Sequence, residues 1–429
     1  MPTPARLLAF RILSENDQGG ALLDERMAAH DVEALDRRER AFLHELVLGT
    51  LRSRGRIDHA LARASARPLA DLDEPTRNAL RLGAYQVLRL RVPDRAAVSE
   101  SVDLVRAASP KAAGFVNAVL RRLSREGAPA EPDPARGPLE WLTTIGSLPP
   151  WIAERWLARI GPEAAIARAR AFEGVPPTVV RLNPRIDDAA ARVTAAGITL
   201  EPLRVPGAWT AVGEAPTALV AAGVVYVQDQ GSQMIAHFAA RDGRVLDACA
   251  APGGKSTLLA DLGGARTHVI ASDVSRPRVR TLATLARRWG APNVHVLTAD
   301  ARRPPFTGVF ESVLLDAPCS GLGTLGRNPD IRWRARAVDL PRHAERQREL
   351  LNAVAGLVAP GGTLVYATCS LEPEENEGVV TPFLEARSDF RAAPLPEWAA
   401  PLASGAFART LPERDGGDGF FAARLVRSA

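Results

Sequence analysis

The stretch Arg244-Val-Leu-Asp-Ala-Cys-Ala-Ala-Pro-Gly-Gly-Lys-Ser256 decides the fold of the C-terminal half of this chain. A short apolar run ends at Asp247, small residues and two glycines follow, and a helical pattern begins near Thr257. Small residues before a helix N-terminus let the backbone approach a ligand closely. The stretch therefore predicts a strand, a ligand-binding loop and a helix in direct succession.

Strand-like and helix-like segments continue to alternate after this stretch. Apolar, β-rich runs cover residues 268–273, 295–299, 312–316 and 363–368, and helical patterns cover residues 257–262, 277–289 and 341–358. Such alternation predicts an α/β domain with a mostly parallel, doubly wound sheet, which we place at residues 216–429. Ligands of such sheets bind at the carboxyl ends of the strands. The polar residues and cysteines at those ends are Asp247, Asp273, Asp300, Asp316, Cys319 and Cys369.

Two of these carboxylates suit an adenosine-containing cofactor. Asp273 follows the second strand, where a carboxylate can accept hydrogen bonds from a ribose diol, and Asp300 suits an adenine amino group. A nucleotide triphosphatase is the competing interpretation, because Gly253 to Ser256 resemble the end of a phosphate-binding loop. Against it, Cys249 stands where that loop requires glycine, and Pro252 lacks a backbone donor.

Two cysteines follow strands that we expect to be neighbours. Asp316-Ala-Pro-Cys-Ser-Gly321 and Ala367-Thr-Cys-Ser370 end the fourth and fifth strands, which would lie roughly 4.8 Å apart. Cys319 and Cys369 are thus expected beside the cofactor, as a reactive pair. The alternative is that both are small buried residues, the commoner fate of a single cysteine. Cys249 lies within the cofactor loop and is expected to pack there.

The N-terminal half differs in character. Residues 1–126 predict an all-α domain of five to seven helices, with amphipathic patterns at 5–14, 38–53, 76–92 and 114–123. A linker rich in proline and glycine follows at 127–139, and residues 140–215 predict a small α+β subdomain.

The composition narrows the class of protein. The net charge of +5 favours a polyanionic partner. The three cysteines form no C-x-x-C pair and the histidines are scattered, so no disulfide framework or metal site is expected. The sequence has no apolar stretch of membrane-spanning length and no signal-peptide pattern at its start, which predicts a cytoplasmic protein.

Five motifs together resemble the signature blocks of the RNA 5-methylcytosine methyltransferases. Besides Asp247–Lys255, Asp316–Gly321 and Ala367–Ser370, they are Pro373-Glu-Glu-Asn-Glu377 and Asp418-Gly-Phe-Phe421. The N-terminal segment, including Gly114-Phe-Val-Asn-Ala-Val-Leu-Arg-Arg122, resembles the helical RNA-binding domain related to NusB. This architecture resembles the bacterial RsmB (Sun/Fmu) family, which methylates 16S ribosomal RNA.

The resemblance implies a Rossmann-like class I methyltransferase domain with S-adenosyl-L-methionine as cofactor. It implies that Cys369 is the nucleophile that adds to C6 of cytosine, and that Cys319 helps to release the product; the residues alone do not rank the two. It implies that Asp316 contacts the cofactor and holds the target cytosine near N3 or N4, and that Asp273 and Asp300 contact the cofactor. The remaining implied cofactor contacts are Cys249, Ala250, Ala251, Pro252, Gly253, Gly254 and Lys255.

Some alternatives stay open from the sequence. Arg278 is a candidate for a further cofactor contact, or else a solvated helix residue. The substrate implied is 16S ribosomal RNA, with transfer RNA as an alternative, and a non-catalytic RNA-binding assembly factor is a third possibility. We expect a monomer without an obligate protein partner.

Overall fold

The computed structural model describes residues 2–17, 23–30, 32–264 and 266–429. The chain forms two compact units, Met1–Gly174 with Leu325–Ala335, and Val175–Thr324 with Arg336–Ala429. Among the described residues, no helix combines the length and the apolar character needed to cross a membrane. The helices are α1 Pro4–Asp17, α2 Leu23–Ala29, α3 Arg37–Arg52, α4 Arg54–Ala64, α5 Glu74–Arg89, α6 Asp94–Ala108, α7 Ala113–Glu126, α8 Pro138–Thr144, α9 Pro150–Ala171, α10 Ala189–Ala195, α11 Thr217–Ala221, α12 Gln230–Ala239, α13 Gly254–Leu262, α14 Arg276–Trp289, α15 Ile331–Arg334, α16 Leu340–Ala355, α17 Glu377–Ala386 and α18 Pro412–Asp415. The strands are β1 Val179–Leu182, β2 Ile198–Pro202, β3 Trp209–Gly213, β4 Val225–Val227, β5 Arg244–Asp247, β6 His268–Asp273, β7 Val294–Thr298, β8 Phe310–Asp316, β9 Val358–Thr368, β10 Phe390–Ala392, β11 Ala403–Ser404, β12 Phe407–Thr410 and β13 Phe420–Arg427.

The first unit contains the predicted all-α domain, which is confirmed. Aspartates begin two of its helices: Asp36 accepts from the Glu39 backbone N–H before α3, and Asp73 accepts from the Thr76 N–H before α5. These caps satisfy amide donors that have no partner within the helix. Leucine and valine side chains from α1, α3, α5 and α7 fill one core, since their apolar positions recur every three or four residues.

Residues 138–174 pack with this helical unit, whereas residues 175–215 belong to the second unit. The predicted subdomain at 140–215 is therefore divided. The reason is close packing of α8 on α4, where a Cβ added at Gly55 would lie 2.5 Å from the Thr143 carbonyl oxygen. Helix α9 consists of two halves, which meet at Gly161, where φ is 76°.

The second unit begins with a small antiparallel sheet in the order β2-β3-β1-β4. Arg181 of β1 is buried and reaches from this sheet to α13, where its guanidinium donates to the Gly254 carbonyl, Thr257 and Asp261. Its guanidinium carbon also lies 4.2 Å from the centre of the Trp289 ring. One strand residue thus fixes the helix that follows the glycine-rich loop.

The main sheet has the order β11-β12-β13-β9-β8-β5-β6-β7, with β10 beside β13. Strands β5 to β9 are parallel, and β13 runs antiparallel to β9. The expected mostly parallel α/β domain is confirmed, and the antiparallel strands after residue 390 extend it. In this register Asp316 pairs with Ala367, so β8 and β9 end side by side.

The segment Leu325–Ala335 leaves the second unit after Thr324 and packs within the first. Its Arg332 is fully buried, and its guanidinium donates to the carbonyls of Arg52, Gly146, Ser147, Phe172 and Leu325. Several of these carbonyls lie at helix C-termini, where a cation is favourable. The segment is therefore part of the helical unit, although its sequence lies between strands of the other.

Candidate active site

Two sulfur atoms meet at the carboxyl ends of β8 and β9. The Sγ atoms of Cys319 and Cys369 lie 3.2 Å apart. Backbone hydrogen bonds hold their loops together, because the Ala317 N–H donates to the Ala367 carbonyl and the Gly323 N–H donates to the Cys369 carbonyl. A Cβ at Gly323 would lie 2.0 Å from the Gly419 carbonyl oxygen, so only glycine fits this crossing.

Both cysteines line a cavity of about 410 Å³. The other lining residues are Ala248, Cys249, Ala251, Lys255, Asp273, Val274, Arg278, Ala299, Asp300, Ala301, Asp316, Ala317, Pro318, Thr324, Arg346, Leu350 and Phe420. This set brings together three of the four strand-end aspartates and the two strand-end cysteines singled out in the sequence.

Four residues of the glycine-rich loop do not line this cavity, and the structure gives three of them other roles. Gly253 has a φ of 109° and caps α13. A Cβ at Gly254 would lie 2.6 Å from the Tyr226 ring, so the glycine leaves room for this side chain of the small antiparallel sheet. Pro252 lines a separate groove, and Ala250 is buried beneath the loop.

Asp273 and Asp300 border the cavity in different states. Asp273 is buried, accepts from the Ser275 backbone N–H at 2.9 Å, and lies 3.6 Å from Arg278. Asp300 is partly exposed and accepts hydrogen bonds from Arg302 at both carboxylate oxygens. These hydrogen bonds lower the pKa of Asp300. Both oxygens of Asp300 already accept from Arg302, but carboxylate oxygens have further lone pairs for an amino group.

Lys255 binds Asp316 at the centre of the cavity wall. Its Nζ donates to Oδ2 of Asp316 at 2.7 Å and lies 5.8 Å from the centre of the Phe420 ring. Burial acts to lower the pKa of Lys255, but the Asp316 carboxylate, together with Asp247 and Cys369, outweighs it and the pKa is raised. The lysine is therefore a permanent cation that orients Asp316.

Asp247 lies fully buried beneath the loop. Its Oδ2 accepts from the Ser256 hydroxyl at 2.7 Å, and burial raises its pKa to about 7. Its Oδ1 has no hydrogen-bond partner among the described residues. A neutral carboxyl is the form that this site favours, so Asp247 supports the loop rather than a ligand.

Different surroundings raise the pKa values of Cys249 and Cys319. Burial raises the pKa of Cys249 strongly, which keeps it a thiol of the packed loop. For Cys319, the hydrogen bond with Cys369 is the main cause that raises its pKa, followed by burial. Cys319 is therefore a thiol at neutral pH, and either sulfur of the pair can donate the hydrogen bond between them.

A buried carboxylate braces the loops that carry the two cysteines. Glu375 accepts from the Ser320 backbone N–H at 2.8 Å and from the hydroxyls of Ser320 and Ser370, both at 2.5 Å. Gln347 of α16 donates to the same carboxylate and to the Pro318 carbonyl. Each cysteine thus precedes a serine that is held by one shared anion.

Sequence reasoning did not single out four of these residues. Arg346 and Phe420 line the cavity, Glu375 braces it, and Arg181 holds the start of α13. The signal for Glu375 was present in the Pro373–Glu377 motif, and that for Arg181 was a lone arginine in an apolar strand. Phe420 lies in the Asp418–Phe421 motif, which was its signal, whereas Arg346 reaches the cavity only through tertiary folding.

Known proteins match both units. The family model "16S rRNA methyltransferase RsmB/F" matches residues 236–426, and that of the NusB family matches residues 3–125. The chain is 35% identical to the probable ribosomal RNA small subunit methyltransferase B of Bacillus subtilis, covering 90% of each chain. It is 37% identical to ribosomal RNA small subunit methyltransferase B of Xylella fastidiosa, covering 99% of each. The crystal structure of PH0851 superposes with a TM-score of 0.79 at 27% identity, covering 99% of each chain.

The cavity fits the cofactor of such enzymes, S-adenosylmethionine. Buried Asp273 suits a ribose diol, Asp300 suits an adenine amino group, and the small Ala248 and Ala251 leave room beside them. The thiol pair lines the same space, so a methyl donor held here would face it. The chain therefore belongs to the 16S rRNA methyltransferase RsmB/F family, with a NusB-family domain before the methyltransferase domain and S-adenosylmethionine as its cofactor.

Proposed function

We propose that this enzyme methylates C5 of a cytosine in 16S ribosomal RNA through a covalent bond between Cys369 and C6. The observation that carries the proposal is the pair of sulfurs, 3.2 Å apart, on the wall of the cofactor cavity. The RNA substrate is suggested by the descriptions of the matching family and its relatives. The target base must leave its stack, because C6 is inaccessible there.

In this proposal Cys369 attacks as a thiolate. A bond forms between its Sγ and C6, and the electrons of the C5–C6 double bond make C5 nucleophilic. S-adenosylmethionine, when bound, supplies the methyl group to C5 from its sulfonium. Loss of the C5 proton then returns an electron pair to the ring, and this pair expels Cys369 from C6 as the thiolate.

We assign removal of the C5 proton to Cys319, which first releases its own thiol proton to solvent and then accepts the C5 proton as a thiolate. Its hydrogen bond with Cys369 is the main cause of its raised pKa, and that bond is lost once Cys369 is bonded to C6. Asp316, oriented by Lys255, would accept from the cytosine amino group at N4. These roles give each polar group near the sulfur pair a task in one reaction.

Analysis of the product tests the proposal. The enzyme is incubated with S-adenosylmethionine and 16S RNA from cells that lack the gene, and the nucleosides are identified by mass spectrometry. We expect 5-methylcytidine with the wild type and none with Cys369→Ala, while calorimetry shows that the variant still binds the cofactor. A different methylated nucleoside, or methylation of transfer RNA in place of 16S RNA, would contradict the proposal.

A further inference from the structure

Helix α14 carries five arginines and no acidic residue. All five arginines are exposed; they are Arg276, Arg278, Arg280, Arg287 and Arg288. Leu282, Leu285 and Trp289 form its buried face. With 3.6 residues per turn, the side opposite this face carries every arginine except Arg278, whose guanidinium donates to the Ala251 carbonyl beside the cofactor cavity.

The arginines at the start of α14 are unfavourable for the helix itself. Arg276 and Arg280 lie near its N-terminus, where the helix dipole disfavours cations, and like charges four residues apart repel each other. Arg287 and Arg288 lie in the last turn, where the dipole favours them. Across the described residues, Arg276, Arg280 and Arg288 have no carboxylate within ion-pair distance. Helix stability alone therefore does not account for the charges at the start of α14.

A groove of about 340 Å³ runs along this helix. It is lined by Tyr226, Pro252, Arg280, Thr281, Thr284, Leu285 and Arg288. Guanidinium and hydroxyl groups are the side-chain donors that contact phosphate and sugar oxygens in nucleic-acid complexes. No acidic side chain is among these lining residues, all of which the structure describes. We refer to Tyr226, Arg280, Thr281, Thr284 and Arg288 as the arginine groove.

The arginine groove lies against the outer side of the loop that borders the cofactor cavity. Pro252 lines the groove, and its neighbour Ala251 lines the cavity. A strand bound in the groove would thus pass next to the loop that faces the cysteines, within the same unit.

We propose that the arginine groove binds the phosphate backbone of the RNA strand that carries the target base. The inference rests on the proposed function and adds a substrate-binding surface on the methyltransferase unit itself. Charge complementarity selects the partner: a single strand presents regularly spaced phosphates, which match guanidinium groups one helical turn or more apart. Contacts of this kind position the RNA without reading its sequence.

The test uses the full-length protein with Arg280→Gln and Arg288→Gln combined. The matched control combines Arg192→Gln and Arg266→Gln, two exposed arginines of the same unit that are already paired with Asp188 and Asp242. The dissociation constant for a single-stranded 16S RNA fragment is measured over a series of salt concentrations. Each lost phosphate contact should reduce the magnitude of the slope of log binding constant against log salt concentration by about 0.7. The slope of the groove variant should therefore be smaller by about 1.4 than that of the wild type.

Steady-state kinetics should also distinguish the groove variant from the control variant. We expect a higher KM for RNA and an unchanged kcat for the groove variant, with unchanged calorimetric binding of S-adenosylmethionine. Replacing both residues by lysine should restore most of the slope, because the charge is kept. A groove variant with the slope of the control would overturn the inference, as would binding to anionic vesicles but not to RNA. If the wild type forms no 5-methylcytidine but the groove variant still shows the reduced salt slope, only the proposed function would be refuted.

Discussion

At the scale of single residues, the geometry of the sulfur pair depends on a carboxylate that does not line the cavity. Glu375 is fully buried and accepts hydrogen bonds from both cysteine-bearing loops. Its carboxylate accepts hydrogen bonds at both oxygens, whereas an amide accepts at one oxygen and donates from its nitrogen. We therefore regard Glu375 as a positioning residue for Cys319 and Cys369.

The variant Glu375→Gln tests this role. The new amide nitrogen would face either the Ser320 backbone N–H or the two serine hydroxyls, so at least one of these hydrogen bonds is lost or reversed and a cysteine loop is held less firmly. A misplacement of about 1 Å in an active site costs on the order of a hundredfold in rate, and we expect kcat to fall by about that factor. The KM for cofactor and RNA should stay within about twofold.

The control for this measurement is Glu385→Gln, a change of the same kind at an exposed position of α17. It should leave kcat as in the wild type. If Glu375→Gln retained full kcat, the brace would have no catalytic importance. If it raised both KM values with kcat unchanged, its role would lie in binding instead.

At the scale of elements, β1 and α13 are joined by a buried ion pair. Arg181 and Asp261 have side chains that are 3% and 5% exposed, and their nearest oxygen and nitrogen lie 2.9 Å apart. Burial lowers the pKa of Arg181 to about 10, which still leaves it charged at neutral pH. With the hydrogen bonds from Arg181 to Gly254 and Thr257, this ion pair ties the small sheet to both ends of the helix that follows the cofactor loop.

Replacing Arg181 by methionine should destabilise the second unit by about 3 kcal/mol, because Asp261 and the Gly254 carbonyl lose a buried donor. Denaturant unfolding followed by tryptophan fluorescence measures this loss, since Trp289 packs on the guanidinium. Arg192→Met, at an exposed position, should change stability by less than about 0.5 kcal/mol. Equal stability of the two variants would show that the ion pair has no net effect.

The helices and parallel strands were predictable because their apolar residues repeat with a clear period. The motif Asp247–Lys255 and the two cysteine motifs also indicated which strand ends meet, since parallel strands share one edge. The antiparallel pairing of β13 with β9 was not predictable, because the alternation of strands and helices on which the parallel order rests does not extend to β13. The roles of Arg181 and Glu375 depend on contacts between residues that are distant in the sequence.

At the scale of the whole molecule, the order of segments along the chain does not reveal the units. Leu325–Ala335 lies between β8 and β9 in sequence but folds with the helices. Its anchor, Arg332, binds backbone carbonyls, which leave no pattern of complementary side chains in the sequence. The division predicted at residues 126 and 215 therefore did not place Leu325–Ala335 with the helices.

Stability of the second unit should depend on pH through Asp247. Because its pKa is raised to about 7, the folded state favours the protonated form. This contribution is complete below the ordinary aspartate pKa and is lost as the pH rises through about 7. Asp247→Asn stays neutral at every pH. Its free energy of unfolding should therefore rise by roughly 2 kcal/mol relative to that of the wild type as the pH goes from about 5 to about 8.

Urea unfolding of both proteins at the two pH values measures this difference. Ser256→Ala provides a comparison, because it removes the hydroxyl that donates to Asp247 without removing the carboxyl. A constant difference between wild type and Asp247→Asn at both pH values would contradict the raised pKa.

The most direct test of the central claim is the identification of a covalent bond between protein and RNA. Cys319→Ala is incubated with 16S RNA and S-adenosylmethionine, digested with protease and nuclease, and analysed by mass spectrometry. We predict a methylated cytidine attached to the peptide that contains Cys369, and no adduct when Cys369→Ala is added to the same protein. An adduct at another residue, or full methylation by Cys369→Ala, would contradict the account.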